Sequence, residues 1–170
     1  MLQVALLGNS QVGKTSLLHA YAGKEFSREY VPTVFDSFQG TTVEGKYKVR
    51  LVDTSGSPDY AKLRPLAYPQ IDIFLLVFSL TDRASFHAIP RWISECQYHR
   101  PNTPFILVGT KLDAPDKCVA AHEAEAFMAL GAQTYIACSA KTHTKIDDIF
   151  RTTIGIGFQT KRRRPRWILF

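Results

Sequence analysis

The chain has 170 residues, about one domain's worth, with 45% hydrophobic and 21% charged residues, a balance that excludes wholesale disorder and collagen-like or low-complexity classes. No run of about 18 apolar residues marks a membrane span. The net charge of +6 comes almost wholly from Lys161, Arg162, Arg163, Arg164 and Arg166, so the body is near neutral and a nucleic-acid-binding body is disfavoured. The first residues, Met1 to Gly8, have neither a basic start nor a cleavage site, so no signal peptide is expected. Cys96, Cys118 and Cys138 are odd in number and far apart; they suit a reducing compartment and read as buried small apolar residues rather than a disulfide framework.

In chain order, Leu2–Leu7 is a short apolar run ending at Gly8, the signal of a buried strand. Thr15–Tyr21 sets Leu17, Leu18 and Tyr21 at helical spacing. Lys46–Val52 alternates as a strand, pairing as a hairpin with Ser37–Val43 to give one antiparallel edge. Ile71–Leu80 is nearly all apolar, as a strand buried on both faces is. Phe86, Ile89, Ile93 and Cys96 fit one helix face, with Pro90 absorbed near its start and Trp92 packing on that helix. Phe105–Val108 reads as a strand. Glu123–Leu130 reads as a helix stopped by Gly131, Tyr135–Cys138 as a strand, and Ile146, Ile149, Phe150 and Ile154 as a final helix. Strands alternating with helices predict a single α/β domain over residues 1–160: a mostly parallel six-stranded sheet with helices on both faces, followed by a basic-aromatic tail over 161–170.

Four motifs carry chemistry. The stretch Gly8-Asn9-Ser10-Gln11-Val12-Gly13-Lys14-Thr15 is a phosphate-binding loop, G-x-x-x-x-G-K-T, between a strand and a helix. Its glycines let backbone N–H groups turn toward phosphate oxygens, Lys14 meets the β and γ phosphates, and the Thr15 hydroxyl reaches Mg²⁺. The plain alternative is a glycine turn. Asp53-Thr54-Ser55-Gly56 closes the next strand: Asp53 can hold Mg²⁺ through water, and Gly56 can offer its N–H to a terminal phosphate. Thr110-Lys111-Leu112-Asp113 follows the Phe105 strand, where the Asp113 carboxylate can accept the N1–H and N2–H₂ edge of guanine and reject adenine by about 10⁴. Cys138-Ser139-Ala140-Lys141 follows the next strand, with the Ala140 N–H set to meet guanine O6. The last two are weak alone. In this order, each at the carboxyl end of a strand, they point jointly to GTP or GDP with Mg²⁺.

With these motifs the chain resembles the Ras superfamily of small GTPases over almost its whole length. Tyr30-Val31-Pro32-Thr33-Val34-Phe35-Asp36 is similar to switch I of the Rho family, and Asp59-Tyr60-Ala61-Lys62-Leu63-Arg64-Pro65-Leu66 to its switch II. The resemblance implies the three-layer G-domain fold, with Thr33 joining Thr15 and Asp53 at Mg²⁺. It implies Phe26 against the guanine, further nucleotide contacts from Ser16 and Tyr30, and an effector and regulator surface at Val34, Phe35, Tyr60, Leu63 and Leu66.

The departures are specific. The family places glutamine after the D-x-x-G glycine to orient the attacking water; here Ser57 stands there, followed by Pro58. Ser10 stands where glycine is usual and crowds the space of that glutamine and of an incoming arginine finger. Together these features resemble the Rnd subgroup of Rho proteins, which holds GTP and barely hydrolyses it, so no catalytic residue is expected intact. The span from Asp113 to Ser139 is Ras-like and lacks the Rho insert, Val52 replaces a Rho tryptophan, and no prenylation cysteine is seen, so no prenylation is expected.

Two functions stay open: a GTP-bound interaction module in cytoskeletal signalling, or a conventional switch that hydrolyses GTP with a partner's help. A P-loop kinase or ATPase is disfavoured by Asp113 with Ser139-Ala140. The expected monomer is cytoplasmic, and its tail either meets an anionic membrane surface, is solvated, folds back on the body, or serves as a nuclear address. Cys118 and His122 could share a helix face, but two ligands do not make a zinc site.

Overall fold

The computed structural model describes residues 1–23, 35–41 and 47–163. Phe26, Tyr30, Thr33, Val34, the side chain of Phe35 and residues 164–170 lie outside the described residues.

Among the described residues, six strands form one sheet: β1 (Leu2–Leu7), β2 (Phe35–Thr41), β3 (Lys48–Thr54), β4 (Ile73–Ser79), β5 (Phe105–Thr110) and β6 (Tyr135–Ala137), in the spatial order β2-β3-β1-β4-β5-β6. All pairings are parallel except β2 with β3, where Phe38 lies opposite Leu51. The helices are α1 (Lys14–Tyr21), α2 (Arg83–His87), α3 (Ile89–His99), α4 (Ala121–Glu125) and α5 (Ile146–Arg163).

Successive strand residues point to opposite faces, and the core divides accordingly. Leu2, Val4, Leu6, Leu75 and Val77 pack against Leu17, Leu18, Ile149 and Phe150 of α1 and α5. Ala5, Leu7, Phe74, Leu76 and Phe78 pack against Phe86 of α2 and Ile89, Trp92 and Ile93 of α3. Strand β4 is buried throughout because helices cover both its faces.

Several local expectations are corrected. The helix expected through Phe86 and Cys96 is two: α2 ends at His87, Ala88 links them, and Pro90 sits in the first turn of α3, where its missing N–H breaks no helical bond. The Glu123–Leu130 helix is four-residue-periodic only in α4 and tightens to a 3-10 turn over Ala126–Leu130 before Gly131. Helix α5 runs to Arg163, past the boundary expected at residue 160; Lys161 donates to Asp72 at 3.0 Å and to the Met1 carbonyl at 2.9 Å. Cys96 and Cys138 are buried as expected, whereas Cys118 is exposed.

Candidate functional site

The phosphate-binding loop spans the gap between β1 and α1. Gly8 has φ 155°, and a Cβ there would lie 2.1 Å from the Val77 carbonyl oxygen of β4, so only glycine lets the loop leave the sheet at this point. Gly13, with φ 100°, precedes α1 and supplies no side-chain cap, so the first N–H groups of the helix, over Lys14, Thr15 and Ser16, are free of a capping side chain. Gln11 also takes a left-handed conformation, at φ 64°. Val12 is buried and anchors the loop to the core, while Ser10 is half-buried within it.

Lys14 is 6% exposed, and its ammonium donates to the carbonyls of Gly8 at 2.9 Å and Asn9 at 2.8 Å. Burial, with a smaller push from nearby Arg64 and against the attraction of Asp53, pulls its pKa down to about 8. A polyphosphate beside this amine would favour the charged form that burial penalises. Thr15 donates its hydroxyl to Asp53 Oδ2, and Asp53 is fully buried at the end of β3. A hydroxyl and a carboxylate are hard oxygen donors of the kind Mg²⁺ takes, so the residues present fit the ion. Thr33, expected as a further ligand, lies outside the described residues.

Gly56 packs directly on the loop. A Cβ on it would come within 2.3 Å of the Gly8 oxygen and 2.4 Å of the Ser10 nitrogen, so the D-x-x-G turn and the phosphate-binding loop meet backbone to backbone. Beyond it, Ser57 caps a 3-10 turn, Pro58–Tyr60, accepting from Asp59 N at 3.3 Å. Its hydroxyl is thus turned along its own segment.

The motifs after β5 and β6 are brought together. Leu112 N donates to the Cys138 carbonyl at 2.9 Å, and Ser139 Oγ donates to Asp113 Oδ1 at 2.6 Å. That hydrogen bond is the main reason the Asp113 carboxyl sits below its ordinary range. Asp113 is exposed at the sheet's rim and Ala140 half-buried beside it; Lys141 is exposed. Thr110 donates to the Val12 and Phe78 carbonyls, and Lys111 Nζ reaches the Gln11 carbonyl at 3.2 Å, tying this half of the site to the phosphate half.

A third group was not read from the sequence. Arg64 is 3% exposed and stands over the Trp92 ring at 4.6 Å. It donates to the Ser55 carbonyl at 2.9 Å, the Ser57 carbonyl at 3.0 Å and both oxygens of Glu95 at 3.1 Å. Trp92 Nε1 in turn donates to Asn9 Oδ1 at 3.0 Å. Trp92 therefore links α3 to the phosphate-binding loop as well as packing in the core. The sequence signal was the spacing of Trp92 and Glu95, three apart and so on one face of α3. On the same side of the molecule Tyr60 is half-buried, and Leu63 and Leu66 are 46% and 73% exposed.

The sequence model of the Ras family matches residues 3–156, a span that holds β2 to β6, β1 from its second residue, and every described residue of the two motif pairs. An ordered phosphate-binding loop, a D-x-x-G turn seated on it and a paired base-side rim, matched over nine-tenths of the sequence, make this chain a member of the Ras family of small GTPases.

Proposed function

We propose that the protein is a Rho-like small GTPase of the Rnd kind: a GTP-bound interaction module with very slow hydrolysis, working in cytoskeletal signalling. The observation that carries the reading is Ser57. It replaces a water-orienting glutamine, its hydroxyl serves as a local cap, and its carbonyl is held by Arg64. A serine side chain is too short to reach a water in line with a γ-phosphate from this backbone position. Ser10 adds bulk where an arginine finger would enter, and such a finger is worth roughly 10³–10⁵ in rate.

Nucleotide binding does not need either serine. Lys14, the N–H groups from Asn9 to Ser16 and the Gly56 N–H hold the phosphates; Thr110, Lys111, Asp113, Ser139, Ala140 and Lys141 hold and read the guanine. Thr15, with Asp53 through water and Thr33, would hold Mg²⁺. That ion neutralises charge on the phosphates when bound. Tyr60, Leu63 and Leu66, with Val34 and Phe35, form the effector surface. The tail cations add attraction to an anionic membrane, up to about 1 kcal/mol each. Lys161 is tied to Asp72, so Arg162 to Arg166 carry that attraction.

Chromatography of nucleotide released from freshly purified protein tests the bound state: GTP supports the module, GDP supports a conventional switch. Single-turnover hydrolysis tests the chemistry, with the Ser57→Gln, Ser10→Gly double variant alongside. Turnover in the native chain as fast as in an ordinary small GTPase would refute slow hydrolysis, and a double variant that gains nothing would mean that Pro58 or the loop's path also blocks catalysis. Sedimentation with vesicles containing anionic lipid tests the tail; binding unaffected by removing residues after Thr160 would retire it.

A further inference from the structure

A second opening lies against one face of the sheet. It is a cleft of about 440 Å³ between Gln3 of β1, Ser37 of β2 and Arg50 and Val52 of β3 on one side and the segment Arg64–Gln70 on the other. The strand register builds it. Gln3 lies beside Arg50, and Ala5 beside Val52 with Ser37 across from it, so Arg50, Val52 and Ser37 share one face of the sheet. The opposite wall is Leu66, Ala67 and Gln70, with Gln3 Nε2 donating to Gln70 Oε1 at 3.0 Å at one end.

Among the described residues lining this cleft, Arg50 is the one ionisable side chain. Its Nε is buried and has no hydrogen-bond partner. A guanidinium is a planar fork that matches a carboxylate with two parallel hydrogen bonds. Beside it, Val52 and Ala67 are apolar, and Leu66 stands 73% exposed at the mouth. An apolar wall beside a single unpaired cation suits an acidic side chain with an aliphatic or aromatic neighbour. A doubly charged phosphate would want more than one cation, and the cleft offers one.

We propose that this cleft is a docking site for a protein segment carrying an Asp or Glu next to a large apolar residue, with Arg50 reading the carboxylate and Leu66 closing over the apolar side chain. The proposal rests on the reading of Leu66 as part of the partner surface. It adds the partner's chemistry and a specificity-determining residue.

The test is selection from a random peptide library displayed on phage, against the full chain loaded with a non-hydrolysable GTP analogue and Mg²⁺. The expected consensus pairs Asp or Glu with Leu, Ile or Phe. A labelled consensus peptide should lose at least about tenfold in affinity toward Arg50→Gln, and as much when its own acid is changed to the amide. The two changes together should cost little more than either alone, since both remove one contact. A fluorescent GTP analogue is titrated into each variant in parallel. Intact nucleotide binding with unchanged peptide affinity in Arg50→Gln overturns the cleft alone, whereas absent nucleotide binding in the native chain overturns the GTPase reading. No enriched peptide, or a consensus without an acid, also overturns the cleft.

Discussion

In the proposed function Asp113 reads the base with one carboxylate, and Ser139 shapes how that carboxylate behaves. The Ser139 hydroxyl occupies one lone pair of Oδ1 and leaves the rest of the group facing outward from the rim. Two charge-assisted hydrogen bonds to guanine at about 1.5–3 kcal/mol each amount to roughly 10²–10⁴ in affinity. Asp113→Ala should therefore weaken GTP by that factor, and weaken an inosine nucleotide, which lacks the 2-amino group, much less. Equal losses, measured by displacement of a fluorescent analogue, would remove the guanine-edge assignment. The pH dependence has a definite sign. A carboxylate is the form of Asp113 that can accept the guanine edge, and the Ser139 hydrogen bond lowers its pKa, so binding through it is expected to persist further into acid. In Ser139→Ala the acid limb of GTP affinity should move to higher pH; an unmoved limb would mean that another group sets it. These residues were legible in the sequence because each motif follows its own strand. Asn9 and Trp92 were not legible as a pair: 83 positions separate them, and no local pattern reports a contact of that range.

At the scale of elements, the sheet was legible and the connections were not. Apolar runs and alternation identify strands from local chemistry, and β1 to β6 stand where those signals fall, with ends differing by up to a few residues. The α2–α3 break was missed because the apolar spacing of Phe86, Ile89, Ile93 and Cys96 continues through Ala88 while the backbone does not. The segment Asp59–Leu66 is similar in sequence to a switch II and is expected to face partners. Its Arg64 is instead a buried cation that fastens the Ser55–Ser57 turn to α3, and a buried charge becomes visible only with its partner, Glu95, 31 positions on. Removing one member of a buried pair costs about 3–5 kcal/mol. Arg64 keeps its bonds to the Ser55 and Ser57 carbonyls, so Glu95→Ala belongs at the lower end. The expected result is a lowered urea midpoint and faster amide exchange in 55–66 than in α5. Uniformly faster exchange would mean that Glu95 contributes only to global stability. Trp92→Phe keeps the apolar bulk and removes one hydrogen bond to Asn9, so it should cost only about 0.5–1.5 kcal/mol, together with lost packing area.

The whole molecule carries three thiols in three environments, and they report how its two cores open. Cys96 lies in the core on the α3 side of the sheet, Cys138 in the core on the α5 side, and Cys118 is exposed near the rim. The thiolate is the reactive form. Burial pushes the Cys138 thiol up to about 12 and raises that of Cys96 as well, so in the folded chain at neutral pH both are protonated as well as shielded. One equivalent of an alkylating reagent should therefore react quickly, at Cys118, and the other two slowly. The slow reactions require opening. Every central strand gives alternate side chains to both cores, so one face cannot be lost without freeing the strands that support the other. Cys96 and Cys138 should then show the same opening free energy in urea-dependent labelling read by mass spectrometry of the peptides. Nucleotide bound only to the folded state adds stability, about 2.7 kcal/mol at a hundredfold excess over Kd, and should slow both thiols by the same factor, near one hundred. A nucleotide effect on Cys138 without one on Cys96 would show that the α5 side, which carries the Ser139–Lys141 loop, opens by itself. Loss of protection at Cys96 alone would place the weak point in the α2–α3 layer under the switch.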